Sequence, residues 1–97
     1  MDRITAVTAP KQRPGVLVQQ VKGDDATLVL LDPINGEYYT LEAVAARIWS
    51  LCDGERSVRS ISETLSQEFD ATPVEIERDV VELVQELVDA KLMVSAR

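Results

Sequence analysis

The sequence predicts an α+β domain of winged helix-turn-helix type: a three-stranded antiparallel sheet, then three helices, then a short C-terminal extended segment. Short β-prone runs separated by turn residues occupy positions 16–40. From position 41 onward, apolar residues recur at three- and four-residue spacing. Thr72-Pro73-Val74-Glu75 has the pattern of a helix start: a capping hydroxyl, proline at the first helical position and glutamate three residues after the cap.

Residues 1–14 carry Pro10, Lys11, Gln12, Arg13 and Pro14 with little apolar content, and read as a flexible lead-in. Residues 15–97 then form the single domain. Residues 16–21 read as a strand, followed by the turn cluster Gly23-Asp24-Asp25. A near-continuous apolar run over 27–31 is the second strand. The turn Asp32-Pro33-Ile34-Asn35-Gly36 follows, with Gly36 free to take positive φ. Residues 37–40, with two adjacent tyrosines, are the third strand. Leu41, Val44, Ala45, Ile48, Leu51 and Cys52 mark a first amphipathic helix, ended at Asp53-Gly54. Ser57 caps a second helix, with Val58, Ile61, Leu65 and Phe69 on its apolar face. The third helix runs from Pro73 to about Ala90, with Ile76, Val80, Leu83, Val84, Leu87 and Val88 as its stripe. Leu92-Met93-Val94 closes the chain as an extended segment.

Composition narrows the function. Ten Lys+Arg against seventeen Asp+Glu give a net charge of −7. Phosphate backbones and anionic membrane surfaces both demand cationic residues, so neither nucleic acid nor membrane is the expected partner. The third helix carries Glu75, Glu77, Asp79, Glu82, Glu86 and Asp89 against Arg78 alone. A helix so charged would be repelled from a DNA groove. This disfavours a winged-helix DNA-binding regulator, the principal rival reading. A subunit that only scaffolds an enzyme, or self-associates through a free edge, is a further alternative.

Catalytic groups are scarce. With no histidine and one cysteine, the chain offers no Ser-His-Asp or Cys-His pair and no zinc set. Its glycines are scattered, so no phosphate-cradling loop is expected. Asp24 and Asp25 are adjacent in a turn, where nothing would drive their pKa values apart. Cys52 reads as a buried structural thiol and Trp49 as a packing residue. A lone cysteine and an N-terminus without a signal-peptide pattern fit the cytoplasm. No enzyme activity and no cofactor or metal is expected. What remains is the third strand: an edge strand offers unpaired backbone groups to which an extended peptide can add.

Residues 28–94 resemble the PqqD family, the pyrroloquinoline quinone biosynthesis protein D group. The resemblance lies in GEYYTL at 36–41, AARIW at 45–49, LCDGERSVRSI at 51–61 and KLMV at 91–94. Many members have glycine before the terminal apolar segment, where this chain has Ala90-Lys91. The Tyr-Tyr strand is also similar to stand-alone recognition proteins of lasso-peptide clusters. The resemblance implies a non-catalytic adaptor for ribosomally synthesised, post-translationally modified peptides. The precursor's leader would add antiparallel to Glu37, Tyr38, Tyr39 and Thr40, facing third-helix positions among Ile76, Asp79, Val80, Glu82, Leu83 and Glu86. Asp79, Leu83 and Glu86 share one helical surface by their spacing. The implied partners are the leader peptide and a modifying enzyme, either a radical S-adenosylmethionine enzyme or a leader peptidase. The expected state is a monomer or a weak or swapped homodimer.

Overall fold

A computed structural model describes residues 3–21, 23 and 27–95. The elements are β1 (Pro10–Gln12), β2 (Leu17–Gln20), β3 (Thr27–Leu31), β4 (Tyr38–Glu42), α1 (Val44–Leu51), α2 (Val58–Glu68), α3 (Pro73–Asp89) and β5 (Met93–Ser95). Asp24 and Asp25 of the expected first turn lie outside the described residues.

Strands β2, β3 and β4 form an antiparallel sheet in that order, followed by three helices as the sequence predicts. The β3–β4 turn is held by its own side chains. Asp32 accepts from the Ile34 N–H at 3.0 Å and Asn35 from the Glu37 N–H at 2.8 Å. Gly36 supplies the positive φ of 76°. Strand β4 runs further than expected, because Leu41 pairs with Leu28 rather than opening the helix. Leu41 and Val44 are three residues apart, a spacing that suits a helix equally well. α1 begins only after Ala43, which has φ 48° and no side-chain cap.

Residues 3–14 depart from the flexible lead-in expected over 1–14, whose first two residues lie outside the described ones. β1 pairs antiparallel with β5, forming a second, two-stranded sheet. Ile4, Thr8, Ala9 and Pro10 are buried. The Val58 and Arg59 N–H groups donate to the carbonyls of Thr8 and Ala6 at 2.8 and 3.0 Å. First-turn amides have no partner within their own helix, so the segment caps α2 alongside the Ser57 hydroxyl. Gln12 Nε2 donates to the Trp49 carbonyl at 2.7 Å, and Arg13 pairs with the buried Asp32 at 3.3 Å. Gly54 has φ 86°, and a Cβ there would lie 3.1 Å from the Lys11 side chain. The segment holds through backbone pairing and a few buried side chains, which composition does not reveal.

The core lies between the three-stranded sheet and the helices. Leu30, Ile48, Trp49, Ile61, Leu65, Val80, Val84 and Leu92 are at most 2% exposed. Cys52 is also buried, which pushes its thiol pKa up to about 12, with Asp53 adding a smaller push. At neutral pH it is an un-ionised packing group.

α3 ends in a Schellman motif. The Leu92 N–H donates to the Leu87 carbonyl and the Lys91 N–H to the Val88 carbonyl, at 2.8 and 3.0 Å. Lys91 holds the left-handed position, φ 64°, which favours glycine. Lys91→Gly is therefore expected to stabilise the protein by about 0.5–1 kcal/mol, offset in part by added freedom in the unfolded chain. Urea denaturation would show a higher midpoint with an unchanged slope.

Candidate functional site

The hydrogen-bond alternation of the sheet determines which backbone groups of β4 are free. The Val21 N–H donates to the Thr27 carbonyl, and the Asp32 N–H to the Glu37 carbonyl. In an antiparallel ladder bonded pairs alternate with unbonded ones. Carried along the register, Leu28 and Leu30 of β3 bond to Leu41 and Tyr39 of β4. The N–H and C=O groups of Tyr38, Thr40 and Glu42 therefore point away from β3. β4 is an edge of the sheet, and among the described residues no strand pairs with that side.

Side chains alternate with the same two-residue period. Tyr39 and Leu41 turn toward the helices, half-buried and buried. Tyr38, Thr40 and Glu42 turn to the outer face and are exposed. Tyr39 donates its hydroxyl to Glu37 Oε2 at 3.0 Å, and this bond to a carboxylate raises the tyrosine pKa.

α3 stands beside the open edge without closing on it. A groove of about 330 Å³ separates them, lined by Tyr39, Thr40, Leu41, Ala45, Leu83, Glu86 and Leu87. Leu41, Ala45 and Leu87 make it apolar. Glu86 lines it from α3, and Glu37 is joined to it through Tyr39.

The expected site residues divide three ways. Tyr39, Thr40, Leu83 and Glu86 meet at the groove. Tyr38 and Glu37 flank it on the strand side, and exposed Asp79 lies one turn before Leu83 on α3. Ile76 and Val80 are core, 3% and 0% exposed, because α3 turns that face onto the other helices. Glu82 does not line the groove; it borders a neighbouring depression with Arg3, Ile4 and Gln85, which Glu86 also reaches. The sequence reading missed Leu41, Ala45 and Leu87. Alanine at position 45, between larger apolar residues of the helix pattern, is the signal that could have located a gap.

The family model described as "Coenzyme PQQ synthesis protein D (PqqD)" matches residues 27–93. A "PqqA binding protein" of Xanthomonas axonopodis pv. citri (strain 306) is 37% identical, with 96% of this chain and 98% of that protein covered. The chain belongs to the PqqD family.

Solved structures agree in fold. The PqqD truncation of Methylobacterium extorquens PqqCD, a stand-alone recognition element for ribosomally synthesised and modified peptides, superposes with a TM-score of 0.78. It is 25% identical, with 94% of each chain covered. A lasso peptide synthetase B1 complexed with its leader peptide gives a TM-score of 0.76 at 28% identity, covering 89% of this chain and 98% of that one. TbiB1 in complex with the TbiA(beta) leader peptide gives 0.75 at 28% identity, covering 86% and 93%.

Proposed function

We propose that this PqqD-family chain binds the leader segment of a ribosomally made precursor peptide as an added strand on β4. It thereby presents the rest of the precursor to a separate modifying enzyme. The observation that carries the reading is the open β4 edge beside an apolar groove. Relatives named for binding PqqA, and similar folds solved with leader peptides, supply the guest.

Main-chain bonds to Tyr38, Thr40 and Glu42 would give affinity, and the groove would select side chains. We assign Glu37, Tyr38, Tyr39 and Thr40 on the strand, and Asp79, Leu83 and Glu86 on α3, to the binding surface. Leu41, Ala45 and Leu87 form its floor; Ile76 and Val80 support it from beneath. In this reading the chain performs no chemistry. Holding the leader raises the effective concentration of the core peptide at a radical S-adenosylmethionine enzyme or a leader peptidase.

Calorimetry against two probes, PqqA of Xanthomonas and the TbiA(beta) leader, tests the reading. At least one should bind in the micromolar range. Binding of a probe with cations opposite Glu37, Asp79 and Glu86 should weaken as salt rises. Ala45→Leu should fill the floor and weaken binding by about tenfold or more, a loss of the order expected from overpacking. A folded Ala45→Leu protein with unchanged affinity would place the site elsewhere.

A further inference from the structure

We propose that the outer face of the three-stranded sheet is a second reading surface for the bound peptide. Groove and outer face together would select a five-residue segment: basic, apolar, small polar or β-branched, apolar, large apolar. This deepens the strand-addition reading and rests on it.

The backbone alternation supplies the geometry. A strand bonding to Tyr38, Thr40 and Glu42 places one residue opposite each of them, with its side chain on the outer face. The residues opposite Tyr39 and Leu41 point the other way, into the groove. The sheet is antiparallel throughout, and antiparallel pairing is slightly the stronger, so the guest runs opposite to β4. Its N-terminal residue faces Glu42 and its C-terminal residue faces Tyr38.

Each outer row then specifies a residue type. Leu17, Leu31 and Tyr38 are register partners across three strands. Leu17 is 55% and Tyr38 71% exposed, an uncharged apolar row on a chain of net charge −7. With Val29 these residues line a shallow depression of about 550 Å³. The guest residue opposite Tyr38 is the fourth member of the row, with Cβ atoms about 5 Å apart, so a large apolar side chain covers most there. The next row, Gln19, Val29 and Thr40, suits a β-branched or small polar residue. Glu42 closes the edge beside Thr27 and favours a cation opposite it. On the other face, Leu41, Ala45 and Leu87 select apolar side chains at two positions, separated by one residue.

A yeast-displayed library of random nine-residue peptides, sorted against the full chain and its variants, tests this. Wild type should enrich the five-residue pattern in the stated order. Tyr38→Ser should lose only the preference for a large apolar residue at the last position. It should bind a wild-type-selected peptide up to about fivefold more weakly. Glu42→Lys should convert the basic preference to an acidic one. Tyr38 and Glu42 are exposed, so both variants keep the fold. Unchanged profiles in both variants would overturn the inference, as would the reversed residue order in the wild type. If Ala45→Leu abolishes enrichment while the two outer-face variants keep the wild-type profile, only the outer-face inference fails. If wild type enriches nothing, or Ala45→Leu keeps the full profile, the groove reading fails with it.

Discussion

Deleting residues 1–13 is expected to leave the chain largely unfolded, although the segment looks dispensable in the sequence. Ile4, Ala9 and Pro10 are buried, and β5 loses its partner strand without β1. The Val58 and Arg59 amides lose the carbonyls of Thr8 and Ala6. Gln12 no longer reaches the Trp49 carbonyl, and Asp32 keeps its burial without Arg13. Burying one large aliphatic side chain contributes about 1.5–3 kcal/mol, and each hydrogen bond about 1 kcal/mol. The combined loss, about 4 kcal/mol or more, approaches the whole stability of many small domains. Far-UV circular dichroism and urea denaturation of the deletion variant would measure it. A truncated protein with the wild-type midpoint would show that the segment rests on the domain without supporting it.

Thr40→Pro is expected to cut leader affinity by about fivefold or more while preserving the fold; Tyr39→Pro is expected to damage the fold itself. The difference follows from the alternation along β4. Thr40 directs its N–H to the open edge, so proline there removes a donor from the guest without breaking an internal bond. The Tyr39 N–H bonds to Leu30 within the sheet, and proline there deletes a ladder bond in a three-stranded sheet. Losing one main-chain bond to the guest, with the proline ring set against the incoming strand, accounts for about 1–3 kcal/mol. Thermal melts should keep the Thr40→Pro midpoint within a few degrees of wild type and lower the Tyr39→Pro midpoint clearly. Calorimetry with whichever probe binds wild type would then read the affinity. Equal affinities for wild type and Thr40→Pro would remove strand addition as the binding mode.

Much of the candidate site was legible in the chain because its signals are local. The Tyr-Tyr strand follows a turn set by Asp32, Asn35 and Gly36, and the Thr72 cap fixes where α3 begins. The acidic character of α3 was visible from the positions of its six acids against Arg78 alone. The division of α3 into faces was not. Ile76, Val80 and Leu83 share one apolar stripe, yet two are covered by other helices and the third borders the groove. Glu82 and Glu86 look equivalent and border one depression together, but of the two only Glu86 also lines the groove beside β4.

The order of strands and helices, their approximate limits and the family to which they belong can all be read along the chain. Periodicity, caps and turn residues act within a few positions of one another, so they can be read without a partner. The pairing of Pro10–Gln12 with Met93–Ser95, and the choice of Thr40 rather than Tyr39 to offer its amide to the edge, emerge only from the packed chain. So does the gap that remains between β4 and α3. Those outcomes depend on which distant surfaces cover one another, and a helix or strand pattern records how much of a segment is buried but not what buries it.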